Sequence, residues 1–265
     1  MMIRVGLTMY QSILQAVLMR VRPSTLAAFL KSLLGVRRVP LETPQGVFFI
    51  DPVSVMGAAL SQQGVYERGM IQTLEQCLMA GGTFVDLGAN EGYFTVIGAR
   101  LCGAGGRVIA IEPQTRLQPV IEENLRLNSL ANVTLVNAAV GEQAGTALIH
   151  LAASTNTGSS GLHCATKYKV PTQEVRVMTL EQVLDEQQVH SVDVMKVDIE
   201  GYEFEAILGS PRVFQEHRVR ALALELHPSL LNSRGKDCSE IERFLASCGY
   251  MCELTFGNTV WSCAP

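Results

Sequence analysis

The chain has 265 residues, 48% apolar and 17% charged, enough to bury a sizeable core in one large or two small globular domains. Its formal charge of −4 gives no reason to expect nucleic acid or another polyanion as partner. The distribution says more. Six basic residues (Arg4, Arg20, Arg22, Lys31, Arg37, Arg38) precede Leu41 with no acid among them, which leaves the other 15 of the 21 basic residues to face all 25 acidic ones. Seven cysteines (77, 102, 164, 238, 248, 252, 263) form an odd set without a C-x-x-C pair, which fits a reducing cytoplasm and suggests neither a disulfide framework nor a zinc knuckle.

The uncharged run from Val5 to Met19 contains Thr8, Gln11, Ser12 and Gln15 and is too short for a membrane span of about 20 apolar residues. It has no convincing cleavage site, so it is not read as a signal peptide. Spacing predicts two short amphipathic helices, one with Met9, Ile13, Ala16 and Val17 on a face, the other with Leu26, Leu30, Leu33 and Leu34. They form either a helical cap or, with the basic residues, a segment 1–38 that touches an anionic membrane surface. Residues 46–56 read as a strand pair or a strand and turn, and a helix follows near 66–79.

From Gly81 the pattern alternates. Strand-like runs at 83–87, 107–111, 133–137, 193–198 and 219–226 are separated by helical stretches at about 91–101, 116–128, 179–188 and 202–209, with another at 238–248. Continuous apolar strands between helices imply a mostly parallel sheet covered on both faces, a doubly wound, Rossmann-like α/β fold. Residues 138–178 insert a hairpin and a Ser/Thr/Gly-rich loop at 154–161, and 250–263 reads as a terminal antiparallel hairpin. The expected organisation is an N-terminal helical extension over 1–80 and a ligand-binding α/β domain over 81–265.

Such sheets bind ligands beyond the carboxyl ends of their strands. The first of these ends in Asp86-Leu87-Gly88-Ala89-Asn90-Glu91-Gly92, where glycine permits a tight turn and a close ligand approach. The second ends in Glu112, an acid placed to accept hydrogen bonds from both hydroxyls of a ribose. A dinucleotide fingerprint would need a second glycine where Asn90 stands. Asp86 also suits a cationic ligand better than a phosphate. S-adenosylmethionine, with a ribose, a sulfonium and no phosphate, fits this spelling.

The ordered set VDLGANEGYF (85–94), AIEP (110–113), ENLRLN (123–128), NAAVG (137–141), GSSG (158–161), TLEQVL (179–184), MKVDIEGYE (195–203) and LELHP (224–228) resembles the FkbM family of S-adenosylmethionine-dependent methyltransferases, within the class I methyltransferase fold. The resemblance implies that Asp86, Gly88, Asn90 and Gly92 lie by the methionyl part of the cofactor, Glu112 by its ribose, and Asn137 and Ala138 by its adenine. It places Asp198 and Glu200, within the Lys196-to-Gly201 motif, where cofactor and acceptor meet. Known members methylate oxygen, often hydroxyls of sugars, glycolipids or polyketides.

A charged group interrupting an apolar strand is cheapest at a mouth, which favours Asp198 and Glu200 as site residues. Glu225 and His227 alternate, so they share a face. An acceptor alcohol must lose its proton, and Asp198, Glu200 and His227 are the candidates to help. A pair of acids there could also hold a divalent cation, though no metal ligand is assigned. Ser159 and Ser160 belong either to an exposed loop or to a lid over the site. The reading is an O-methyltransferase for a small-molecule or glycan hydroxyl. Its rivals are a nicotinamide-dependent oxidoreductase and a methyltransferase-like scaffold without turnover.

Overall fold

The computed structural model describes residues 17, 21, 24–152, 156–162 and 171–263. The first predicted helix lies outside these residues apart from Val17. In chain order the helices are α1 (Ser24–Leu33), α2 (Val55–Gln63), α3 (Arg68–Cys77), α4 (Tyr93–Cys102), α5 (Gln118–Leu127), α6 (Leu180–Glu186), α7 (Glu203–Leu208), α8 (Pro211–Gln215), α9 (Pro228–Ser233) and α10 (Cys238–Ser247). The strands are β1 (Val39–Thr43), β2 (Gly46–Ile50), β3 (Thr83–Leu87), β4 (Arg107–Ile111), β5 (Val133–Val136), β6 (Ala139–Val140), β7 (Gly145–His150), β8 (Thr172–Met178), β9 (Val192–Val197), β10 (Val219–Leu224), β11 (Met251–Thr255) and β12 (Asn258–Ser262).

The main sheet has seven strands in the order β11-β12-β10-β9-β3-β4-β5. β10, β9, β3, β4 and β5 run parallel, while β12 pairs antiparallel with both β10 and β11. The chain therefore starts at the sheet's centre with β3, moves outward through β4 and β5, and then crosses back to β9 on the other side. This reversal opens a crevice at the carboxyl ends of β3 and β9.

Strand alternation divides the core. Val85, Leu87, Met195, Val197, Leu222 and Leu224 point to one face, under Val183, Ile207, Phe214, Ile241 and Leu245 of α6, α7, α8 and α10. Phe84, Val108, Val194 and Ala223 point to the other, under Leu60, Leu74 and Val96 of α2, α3 and α4. Both faces are dry, which is why these strands carry no polar alternation. A small sheet, β6-β8-β7, sets Ala139 and Ile149 beside the crevice.

Most expected elements are present with shifted ends. The segment 46–56 differs: Gly46–Ile50 pairs with Val39–Thr43, and by Val55 the chain is already helical, capped by Ser54, whose Oγ accepts from the Gly57 amide. The helix is hidden in sequence because Met56, Gly57, Ala58 and Leu60 are all buried, leaving little polar face to give a period. The short helices α8 and α9 escape for another reason, since five and six residues are too few to show a period, although each begins with a proline in its first turn. The capping box of α6, Thr179 with Gln182, is legible in the sequence and forms.

The β1–β2 hairpin is fastened to α5 by two asparagines. Asn124, wholly buried, accepts from the Phe49 amide at 2.6 Å and donates to the Glu91 carbonyl at 2.7 Å. Asn128 accepts from the Val47 amide at 2.9 Å and donates back to the Val47 carbonyl at 2.7 Å. Replacing Asn124 by Ala strands a buried donor and a buried acceptor, each costing about 1–3 kcal/mol. Urea unfolding of Asn124→Ala is expected to show a loss of that order; an unchanged midpoint would contradict this account of the hairpin's attachment.

Candidate functional site

β3 runs into Gly88, whose φ of +85° turns the chain sharply. The amides of Gly88 and Ala89 both donate to the Ile111 carbonyl, at 3.1 and 3.0 Å, tying the turn to the end of β4. A Cβ on Gly88 would lie 1.9 Å from the Asp198 carbonyl oxygen, so the approach of the chain after β9 demands glycine here. Asn90 follows at φ +49°, and its amide donates to Glu112 Oε2 at 2.8 Å. The Gln114 amide donates to Glu112 Oε1 at 2.9 Å. Burial pushes the Glu112 carboxyl up to about 7, against the pull of the Gln114 and Asn90 donors.

The opposite wall follows β9. The Asp198 amide donates to the Leu87 carbonyl at 3.1 Å. Beneath it Lys196, only 2% exposed, sits 3.5 Å from Asp198 Oδ2 and 3.7 Å from Asp86 Oδ1. Thr95 donates to the other Asp86 oxygen at 2.6 Å. Burial pulls the lysine pKa down, but Asp198 and Asp86 outweigh it and keep the ammonium charged. Glu200 is held at φ +50°.

His227, just past β10, brings its Nε2 within 3.7 Å of Glu200 Oε2 and 3.8 Å of Asp198 Oδ1, while its Nδ1 meets the buried Glu203 Oε1 at 2.8 Å. That bond, outweighing partial burial, raises His227 to about 9. Burial raises Glu200 to about 7, more than the neighbouring His227 lowers it. Ligand atoms of Asp198, Glu225 and His227 lie within 4.8 Å of one another.

Residues 156–162 roof the space between these walls. Thr157 donates to Asn90 Oδ1 at 2.8 Å, Gln114 Nε2 reaches the Thr157 carbonyl at 3.3 Å, and Arg116 reaches Ser160 Oγ at 3.2 Å. The cleft left beneath is about 80 Å³. Small-molecule sites are commonly about 300–1,000 Å³, so the cleft as it stands is several times smaller than such a site. A larger hollow of about 670 Å³ at the amino ends of β4 and β5 is lined by Arg100, Arg107 and Asn132, at the wrong end of the sheet and without converging acids.

Of the residues singled out in the sequence, Gly88, Asn90, Glu112, Ser160, Asp198 and Glu200 line this cleft. His227 edges it through Glu200 and Asp198. The others stand behind the lining. Asp86 faces Thr95 and Lys196. Gly92, at φ +81°, caps the start of α4 against Ile121. Asn137 is exposed and braces the chain near Glu112 by donating to the Glu112 and Pro113 carbonyls at 2.9 and 3.1 Å. Ala138 is wholly buried, and Ala139 lines the cleft instead.

Sequence reasoning missed Glu203, although it closes the quoted 195–203 motif, and gave no signal for Thr157 or Gln114. It also missed Arg38, whose guanidinium makes two 2.7 Å bonds to the buried Glu91. Tyr66 and Glu67 approach the acids from before α3; burial, then Glu67, Asp198 and Glu225, raise the tyrosine hydroxyl.

Residues 86–252 match the family model described as the methyltransferase FkbM domain. Solved structures similar to the chain include the methyltransferase FkbM from Methylobacillus flagellatus KT, with 17% identity and a TM-score of 0.45 over 79% of this chain and 61% of that one. The chain thus spans about three fifths of that relative's length. The precorrin-6y C5,15-methyltransferase from Geobacter metallireducens GS-15 shows 16% identity and a TM-score of 0.43 over 72% of this chain and 76% of that one. Aeropyrum pernix fibrillarin, solved with natively bound S-adenosyl-L-methionine, shows 12% identity and a TM-score of 0.41 over 72% of each chain. No curated protein matches.

The Gly88 contact makes a sharp prediction. Gly88→Ala must displace the backbone at Asp198, and a cost of at least about 1–3 kcal/mol lowers the melting temperature by roughly 3 °C or more. Gly105→Ala, whose added Cβ meets nothing within 4 Å, should melt with the parent. Equal melting of all three proteins would remove the steric reason for glycine at 88.

Proposed function

We propose an O-methyltransferase reaction for this chain from one premise: it belongs to the FkbM methyltransferase family. The cofactor of that family is S-adenosylmethionine. The rival nicotinamide reading gives way to that membership. The observation that carries the proposal is the meeting, in one cleft at the reversal of the sheet, of Glu112 on one wall with Asp198 and Glu200 on the other.

In this reading Glu112 holds the ribose. Each of its oxygens accepts one backbone amide and keeps a lone pair for a hydroxyl. Gly88 and Asn90 border the methionyl part, and Asp86 acts indirectly by holding Lys196 under Asp198. Asp198 positions cofactor or acceptor. S-adenosylmethionine supplies an activated methyl group, and the chain's task is to align an acceptor oxygen behind that carbon, keep out water and take the hydroxyl proton. Alignment of this kind is worth about 7–11 kcal/mol in ideal cases.

Glu200 lines the cleft and takes the proton. His227 is the weaker candidate because Glu203 occupies its Nδ1 and holds the ring cationic at neutral pH. The acceptor class proposed is a hydroxyl of a small molecule, sugar or glycolipid, since carboxylates lining a mouth accept hydrogen bonds from hydroxyls and repel anions. Lifting of residues 156–162 admits the cofactor, with Thr157 and Asn90 as the latch.

A peripheral membrane contact belongs to the same proposal. Leu26, Phe29, Leu33 and Leu34 are exposed along and just past α1. The charges contribute less than the sequence implies, because Lys31 pairs with Asp51 and Arg38 with Glu91. Arg4, Arg20 and Arg22 lie outside the described residues. Among the described residues no helix is long and apolar enough to cross a membrane. The six described cysteines are free, in keeping with the cytoplasmic location we propose. A Phe29→Glu, Leu33→Glu chain should lose co-sedimentation with anionic vesicles, and a parent chain that never sediments would end this reading.

Titration calorimetry with S-adenosylhomocysteine tests the cofactor assignment. Glu112→Ala should weaken binding at least about tenfold, as expected for losing charge-assisted bonds of about 1.5–3 kcal/mol. Because the ionised carboxylate is the double acceptor, affinity should fall as pH drops below about 7, by up to about tenfold per unit. Absence of binding by the folded parent would favour the scaffold reading. Glu200→Gln should lower the rate of labelled methyl transfer to a hydroxylated acceptor about 10²–10⁴-fold while leaving S-adenosylhomocysteine affinity in place. Label found on nitrogen or carbon acceptors alone would overturn O-methylation.

A further inference from the structure

We propose that Asp198, Glu225 and His227 form a binding site for one divalent cation of the Mn2+ type at the acceptor side of the cleft. The three residues come from two adjacent strand ends, and the sheet fixes their spacing. Val197 pairs in register with Leu224, and the Glu225 amide donates to the Val197 carbonyl at 2.9 Å, so Glu225 emerges beside Asp198. His227, two residues on, returns to the same face.

The distances suit an ion better than direct bonds. Asp198 Oδ1 and His227 Nε2 are 3.8 Å apart, too far for a hydrogen bond. Two ligands at about 2.1 Å from one octahedral ion stand roughly 3–4.2 Å apart, which includes that separation. The full set, within 4.8 Å, closes on an ion by small side-chain movements.

A second feature points the same way. Glu203 is wholly buried, its Oε1 accepts from the Gly201 amide at 2.9 Å and meets His227 Nδ1 at 2.8 Å, and its Oε2 is without a hydrogen-bond partner among the described residues. A carboxylate on Nδ1 fixes the imidazole so that Nε2 faces the cluster, the arrangement that orients metal-ligating histidines. Lys196 occupies Asp198 Oδ2 and leaves Oδ1 toward the histidine.

One imidazole with two carboxylates favours Mn2+ over Mg2+ or Ca2+, and the solvent-facing side leaves positions for water or an acceptor oxygen. Binding exchanges the Nε2 proton for the ion and releases that proton to solvent. The consequence for acceptor activation rests on the methyltransferase reading; ion binding itself does not.

The test is titration of the full chain with Mn2+, without other ligands, followed by the electron paramagnetic resonance of the free ion, with pulsed measurement of nitrogen coupling to the bound ion. The expected result is one ion per chain with a coupled imidazole nitrogen, and an affinity at least about tenfold weaker in both Glu225→Gln and Asp198→Asn. No binding at millimolar Mn2+, binding without nitrogen coupling, or equal binding by folded variants overturns the site. Should neither variant fold, the nitrogen coupling in the parent decides. S-adenosylhomocysteine calorimetry on the same preparation separates the two proposals, since either ligand can bind while the other fails.

Discussion

The ammonium of Lys196 is the constraint on which the rest of the cleft depends. It lies inside the sheet with buried Asp86 on one side and half-buried Asp198 on the other, and without it Asp86 would be left as an uncompensated buried acid. Removing one partner of such a buried set typically costs about 3–5 kcal/mol, because a charge is left without compensation. Fixed from below in this way, Asp198 presents its free oxygen at the mouth. The Gly88 turn then closes against the Asp198 carbonyl, so the two strand ends that flank the reversal of the sheet are held at backbone contact.

Acids outnumber cations above that layer. Glu67, Asp198, Glu200, Glu203 and Glu225 gather near Lys196 and His227, and burial raises Glu200 and Glu225 alike. Three residues around the cleft, Glu67, Asn90 and Glu200, also hold left-handed backbone that side chains other than glycine seldom adopt. Such strain, about 1–3 kcal/mol at each position, persists only where surrounding packing dictates it. The walls rest on dry sheet and helix. The roof is held by a few hydrogen bonds, and opening concentrates where fewest buried contacts must break.

The sheet was legible because its strands are continuous apolar runs, and part of the cleft's lining was legible because charges interrupt those runs at their ends. Asp198 and Glu112 stand out in sequence for a physical reason: an ionisable group at the close of a buried strand has either to face a mouth or to find a buried counter-charge. Helix α2 was illegible for the opposite reason, since four buried residues within its first six positions leave no clear period. Asp86 and Asn137 show a subtler limit. Both are strand-end polar residues, yet one faces inward to a lysine and the other outward to the backbone, and only the geometry separates lining from bracing. Partners distant in sequence, such as Arg38 for Glu91 or Thr157 for Asn90, leave no local pattern.

The Arg38–Glu91 pair has a consequence for how this protein can be recombined with its relatives. Glu91 lies within the matched region that begins at residue 86, and Arg38 lies well before it. A chimera joined at that boundary would inherit the carboxylate without this guanidinium, in the glycine loop just ahead of α4. The segment ahead of residue 86 therefore supplies a counter-charge to the matched region, and exchanging one without the other leaves an uncompensated buried negative charge behind the cleft, next to Asn90.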